Sequence, residues 1–243
     1  MQPFPIQGVT ALVTGANRGI GQSVVAALLE RGAAKVYAGA RRADDPDVVR
    51  ALDPARVVPI RLDVTNSTDR FNLGQTAADT SLLFNNAGVL EVGRVLDVSA
   101  AAVTRNFDVN CFGLLNVTRA LAPALVANHG AVVNVLTLIA LASMPALGAY
   151  SASKAAAWSI TQSLRADLAR QGVSVFGVFP GAVDTDMIRA IEMPKAAPAA
   201  VASAILDGIE SGTEDIFPDA MSEALYAQWL DNHKAVERQL AVM

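Results

Sequence analysis

Short runs that are apolar throughout alternate along this chain with longer stretches in which apolar residues recur every three or four positions. The short runs are VTALVT (9–14), KVYAGA (35–40), VVPIRL (57–62), SLLFNN (81–86), AVVNVLT (131–137) and VSVFGVF (173–179), with a weaker one at DIFP (215–218). Their length and β-branched content predict strands. The helical periodicity between them predicts helices over 19–31, 67–79, 99–127, 150–171, 198–211 and 221–240, and a short one within 44–53. Strands that are apolar on both sides belong to parallel sheets covered by helices on both faces. The expected fold is a single doubly wound α/β domain over 1–243, with about seven strands. The one loosened segment is EMPKAAPAA (192–200), so 186–200 reads as a lid over whatever site the sheet carries.

Composition narrows the classes of function. The chain is 52% hydrophobic and only 17% charged, enough for a substantial core, and its net charge of -4 argues against a nucleic-acid or anionic-membrane binder. Cys111 is the only cysteine and can form no internal disulfide, which suits a reducing cytoplasm. The N-terminal MQPFPIQGVT has neither a basic start nor a long apolar run, so no signal peptide is expected there. The most apolar region, 131–150, is interrupted by Asn134, Thr137, Ser143, Pro145 and Gly148, and reads as a buried strand followed by a loop rather than a membrane span. No set of His, Cys or acidic residues has metal-ligand spacing, and no metal is expected; His129 and His233 lie outside every motif.

The first strand runs directly into glycines. Gly15, Gly19 and Gly21 in TGANRGIG stand between the first strand and the first helix, with Asn17, Arg18 and Ile20 in the same turn. A turn without side-chain bulk lets backbone N–H groups and a helix N-terminus approach a pyrophosphate. In a dinucleotide-binding fold, an acid at the end of the second strand binds the ribose hydroxyls of NAD. Here Ala40 stands at that place, followed by Arg41 and Arg42, with Asp44 and Asp45 nearby. Guanidinium groups suit a 2′-phosphate. NADP(H) is therefore expected as cofactor in preference to NAD(H).

The stretch AYSASKAAAW (149–158) places Tyr150 four residues before Lys154 at the start of a helix, so the two share a face. A free tyrosine titrates near 10. An adjacent ammonium would favour the phenolate and draw that value toward neutrality.

With these segments in hand, nearly the whole chain, from about Gly8 to about Pro218, resembles the short-chain dehydrogenase/reductase family of carbonyl reductases and alcohol dehydrogenases. The resemblance implies a Rossmann-type fold. TGANRGIG resembles the family's cofactor turn, and LDV (62–64) its adenine contact through Asp63 and Val64. NNAG (85–88) resembles the segment that steadies the sheet and touches the cofactor through Asn86, Ala87 and Gly88. Asn110 falls at the family's helix asparagine, which holds a water linking the lysine to solvent. YSASK resembles its Tyr–Lys pair, with Lys154 also on the nicotinamide ribose. PGAVDTDM (180–187) resembles the carboxamide segment, with Pro180, Gly181, Val183 and Thr185 at the cofactor. The resemblance thus makes Asn110, Thr137, Tyr150 and Lys154 the catalytic set. One departure stands out: the family's serine, thirteen residues before the tyrosine, is Thr137 here. Threonine keeps the hydroxyl and adds a methyl group beside the substrate. Leu136 takes the place where a second hydroxyl often sits, and Ser143 is an alternative hydroxyl further along the loop.

The expected substrate pocket is apolar: Val89 and Leu90 after NNAG, Leu138, Ile139, Leu141, Met144 and Leu147 beside the active site, and Ile188, Ile191 and Met193 in the lid. Arg189 and Lys195 are the lid's cations. Such a lining suits a hydrophobic ketone or aldehyde and its alcohol. A 3-oxoacyl carrier-protein reductase, a hydroxysteroid dehydrogenase and an NADP-sensing regulator remain as alternatives. The alanine-rich faces KAAAW and RALAPALVA, with the resemblance, point to a homodimer or homotetramer, and the helix at 221–240 to closure of the pocket or of the oligomer.

Overall fold

A computed structural model describes residues 2–42 and 47–242; Asp44, Asp45 and the start of the short helix expected within 44–53 lie outside the described residues. Seven parallel strands form one sheet: β1 (Thr10–Thr14), β2 (Lys35–Ala40), β3 (Val57–Arg61), β4 (Leu82–Asn85), β5 (Ala131–Val135), β6 (Ser174–Val178) and β7 (Asp215–Ile216), in the order β3-β2-β1-β4-β5-β6-β7. The helices between and after them are α1 (Gly19–Glu30), α2 (Asp47–Arg50), α3 (Ser67–Thr76), α4 (Ala100–Phe107), α5 (Leu114–Ala127), α6 (Gly148–Ala169), α7 (Pro198–Ser211) and α8 (Ala220–Leu240).

The alternation of side chains along each strand explains the two layers. Ala11, Val13, Leu82, Phe84, Val133, Phe176 and Val178 face α1 and α7, packing with Val24, Leu28, Ile205 and Ile209. Leu12, Leu83, Val132 and Val175 point the other way, against Leu73 of α3, Val117 and Leu121 of α5, and Leu168 of α6. Both faces are buried, which is why these strands read as uninterrupted apolar runs. The strand order reverses between β1 and β4, and in an open parallel sheet that reversal opens a crevice at the carboxyl ends.

Two helices depart from expectation. The single helix expected over 99–127 is α4 and α5 joined by a π-helical turn, Asp108–Gly113. Gly113 lies so close to Val64 that a Cβ there would come within 2.7 Å of its Cγ2. The wider turn carries Asn110, Cys111 and Gly113 into the interior. Among the described residues this stretch, Ala100–Ala127, is also the one long and apolar enough by composition to cross a membrane; here it packs in the layer over the sheet. The last helix, expected to be continuous over 221–240, breaks at Asn232.

Candidate active site

The glycine turn is shaped by close approach. Gly15 and Gly19 adopt left-handed conformations, φ 64° and 55°. Gly21 has ordinary φ, but a Cβ on it would fall 2.2 Å from the Gly15 carbonyl oxygen and 2.5 Å from Asn86 Nδ2. Gly21 therefore sits behind the turn rather than on the cleft wall: it lets α1 start against β1. The first turn of α1 has neither a capping side chain nor an acidic residue, which leaves its N–H groups available to an anion.

Thr14, which sequence reasoning passed over, stitches this turn to NNAG. Its hydroxyl oxygen accepts from the N–H groups of Asn86 and Ala87, both at 2.9 Å, and donates to the Phe84 carbonyl at 3.3 Å. Asn86 Nδ2 donates back to the carbonyls of Thr14 and Gly15. Asp63 stands further along the same cleft and accepts two bonds from Thr65. Burial works against its carboxylate, but the Thr65 bonds and the charges of Arg41 and Arg61 outweigh it and hold the carboxyl below the usual range. Arg41 is exposed on the cleft wall beside Ala40 and Arg42. Arg18 also lines the cleft, where it pairs with Asp186 at 3.4 Å.

Tyr150 and Lys154 project from the first turns of α6, with the Lys154 Nζ 6.0 Å from the Tyr150 ring centroid. Both are buried, at 8% and 4% exposure. Lys154 donates a 2.7 Å hydrogen bond to the Val135 carbonyl at the end of β5. Burial pushes the Tyr150 phenol up to about 12, against a smaller opposing effect of its hydrogen bond with Thr137. Burial likewise brings Lys154 down to about 8. This corrects the expectation that the ammonium draws the phenol toward neutrality. Desolvation dominates, and the ammonium is turned toward the Val135 carbonyl.

The Thr137 hydroxyl also lies 3.5 Å from the Pro180 carbonyl, so one proton faces two acceptors. Asn110 is not on the cleft wall. It clamps the main chain of Val89, accepting from its N–H and donating to its carbonyl, both at 2.9 Å, and donates to Ser153 Oγ at 3.0 Å. Ser153 in turn donates to the Tyr150 carbonyl at 2.7 Å. Asn110 thereby fixes the chain after NNAG to the tyrosine turn.

One continuous cleft of about 1320 Å³ joins these groups. It holds Gly15, Asn17, Arg18, Gly19, Ile20, Arg41, Asp63, Val64, Asn86, Ala87, Gly88, Thr137, Tyr150, Lys154, Pro180, Gly181, Val183 and Thr185 of the expected set. Of the expected apolar pocket it holds Val89, Leu90, Leu138, Ile139, Met144, Leu147, Ile188, Ile191 and Met193. Leu141 is a correction: it packs behind the site with Phe179 and Trp158. Ser143 is likewise off the cleft wall. The expected lid holds a short 3-10 turn, Asp186–Ile188, and an irregular stretch, but α7 already begins at Pro198. Sequence reasoning missed Asp219, whose side chain accepts from the Gly181 N–H at 2.8 Å and caps α8 through the Ser222 N–H at 3.0 Å. It also missed Met221, Leu225, Gln239 and Leu240 of α8, which complete the apolar end. Among the described residues no group of three or more His, Cys, Asp or Glu side chains could hold a metal ion.

A parallel sheet with its switch-point crevice, a glycine turn and a buried Tyr–Lys pair define a nucleotide-dependent oxidoreductase fold. The model of the short chain dehydrogenase family matches residues 9–196. The chain belongs to that family. A short chain dehydrogenase from Burkholderia cenocepacia J2315, solved in complex with NADP, is 39% identical, with a TM-score of 0.92 and 99% of each chain covered. A short chain dehydrogenase/reductase from Burkholderia phymatum in complex with NAD is 26% identical, with a TM-score of 0.85 and coverage of 97% of this chain and 96% of that one. An uncharacterized oxidoreductase of Staphylococcus aureus (strain USA300) is 31% identical over 204 residues, 81% of this chain and 88% of its own.

Proposed function

We propose that this protein is an NADP(H)-dependent oxidoreductase that interconverts hydrophobic ketones or aldehydes with their alcohols. The observation that carries the reading is the Tyr150 phenol, hydrogen-bonded to Thr137, where the glycine-turn cleft meets an apolar pocket. The uncapped start of α1, the left-handed Gly15 and Gly19, and Arg18 and Arg41 on the wall fit a phosphorylated dinucleotide. The absence of an acid at Ala40 and the NADP of the 39% identical neighbour support the phosphorylated form.

When bound, the nicotinamide supplies or accepts the hydride. The residues of this chain handle the proton and the oxygen. A phenol pushed up to about 12 keeps its proton at neutral pH, the state needed to donate to a substrate oxygen as it is reduced. In the reverse direction the phenol must first lose its proton, and the phenolate oxygen then takes the proton from the alcohol. Thr137 has a hydroxyl to orient that oxygen, and the apolar walls of the pocket exclude water around it. Lys154, charged below about pH 8, stands one helical turn from the tyrosine, where its hydrogen bond to the Val135 carbonyl holds the ammonium in place. The test is initial rates with NADPH and with NADH over aryl, aliphatic and steroid ketones and an acetoacetyl thioester, repeated on Tyr150→Phe. NADPH-dependent ketone reduction lost in the variant is the expected result. Thioester-only turnover, or tight cofactor binding without turnover, overturns it.

A further inference from the structure

The break in α8 creates a second helical segment with its own start. At Asn232 the backbone leaves helical geometry (φ -153°, ψ 85°), and the Asn232 side-chain oxygen accepts a 3.0 Å hydrogen bond from the Ala235 N–H. That bond is an N-cap, so residues 233–240 begin anew after the break. Two side chains anchor the segment: Val236 and Leu240, 1% and 3% exposed, pack in one cluster with Leu138, Ile139 and Tyr150. The segment thus closes over the apolar end of the cleft, in contact with the cluster that holds the tyrosine.

Gln239 follows Val236 by three residues and precedes Leu240, which puts it at the edge of that inward face. It remains open to solvent and lines the cleft. The cluster on which its segment packs is apolar through Leu138, Ile139, Met144, Leu147, Met221 and Leu225; its two polar atoms are the Tyr150 hydroxyl at the reacting end and the indole N–H of Trp229, which is off the cleft wall. The amide is therefore the one hydrogen-bonding side chain that α8 places on the cleft wall. An amide offers an acceptor and two N–H donors without charge. That chemistry matches a neutral hydroxyl or carbonyl, whereas a carboxylate or phosphate would call for a cation.

We propose that Gln239 is a specificity-determining residue that hydrogen-bonds a neutral polar substituent, a hydroxyl or second carbonyl, carried on the hydrophobic body of the substrate away from the reacting carbonyl. The inference rests on the ketone-reductase reading above and narrows its substrate class to ketones bearing a second oxygen. Apolar walls alone discriminate weakly among hydrophobic molecules, and a placed hydrogen bond supplies the missing selectivity.

The test measures kcat/KM for a series of aryl and alkyl-aryl ketones, each beside its hydroxylated analogue, with the hydroxyl moved stepwise away from the carbonyl. In the full-length wild-type protein at least one hydroxylated member is expected to exceed its parent by about tenfold, the worth of one neutral hydrogen bond. Gln239→Leu is expected to erase that preference, bringing kcat/KM for the hydroxylated ketone and for its parent to within about twofold of each other. Gln239→Asn, with the same amide on a shorter stem, should shift the preferred hydroxyl position. Turnover with no preference, or the same preference in Gln239→Leu, overturns the role of Gln239 alone. No turnover of any ketone by the wild type overturns the reductase reading and this inference with it.

Discussion

Lys154 Nζ reaches from α6 to the Val135 carbonyl at the end of β5, a 2.7 Å hydrogen bond between two buried groups. The bond holds an ammonium away from water, and burial brings its proton loss down to about 8 from 10.5. An unfolded lysine keeps its proton to about 10.5. Between those values the unfolded chain binds more protons, so this group makes stability rise with pH. Its contribution is complete above about pH 10.5 and is lost as pH falls toward 8. Tyr150 has the opposite sign: the folded phenol titrates near 12 and the unfolded one near 10, so it lowers stability from about pH 10 upward. Urea unfolding of the wild type and Lys154→Met should therefore diverge across pH 8 to 10, by up to about 3 kcal/mol. Parallel pH profiles would contradict the buried ammonium.

Thr137 presents one proton to two oxygens, those of Tyr150 and Pro180. Thr137→Val keeps the shape and removes the hydroxyl, and loss of such an oxygen-orienting donor costs about 10²–10³ in kcat. Thr137→Ser restores the hydroxyl without the methyl, so kcat should stay within a few-fold while KM changes for bulky ketones. If Thr137→Val retained full kcat, the hydroxyl would be a loop brace and no more.

Much of this site was legible because its chemistry is local in sequence. The glycine turn, NNAG, the Tyr–Lys spacing and the alternation of strands and helices are short patterns, and all lie where local sequence places them. What the sequence concealed depends on packing between distant segments. Gly113 against Val64 accompanies the π-helical turn, and no periodicity in 99–127 announces it. Thr14 becomes a double acceptor only once β1 and β4 are neighbours. The acidity of Tyr150 is set by its depth of burial, which the sequence does not show, and not by the nearby cation, which it does. Asn232 did carry a signal: an asparagine within a polar helical run is a cap as readily as an interior residue.

Gly21 tests the claim that the glycine turn is set by packing as well as by its ligand. A Cβ there meets the Gly15 carbonyl oxygen at 2.2 Å, a backbone atom that cannot swing aside. Gly21→Ala should lower stability by about 1–3 kcal/mol, as overpacking does. Cofactor affinity should fall with it, since α1 and the turn move together. A protein with unchanged melting temperature and weakened cofactor binding would mean that Gly21 faces the ligand instead.

Asp186 stands between two guanidinium groups, Arg18 of the glycine turn and Arg189 of the lid. The Arg18 and Asp186 side chains are 63% and 42% exposed, so the pair itself stabilises the fold little. Its consequence is competition. A 2′-phosphate and the Asp186 carboxylate would seek the same guanidinium, and each contact made to one is withheld from the other. Asp186→Asn should therefore lower KM for NADPH by about two- to fivefold while leaving KM for NADH nearly unchanged, the scale of an exposed ion pair. The gain should shrink as salt rises, because the charges involved face solvent. Equal changes for both cofactors would place the effect in the lid rather than at Arg18, and a loss of NADPH affinity would show that Asp186 orients Arg18 for the phosphate instead of competing with it.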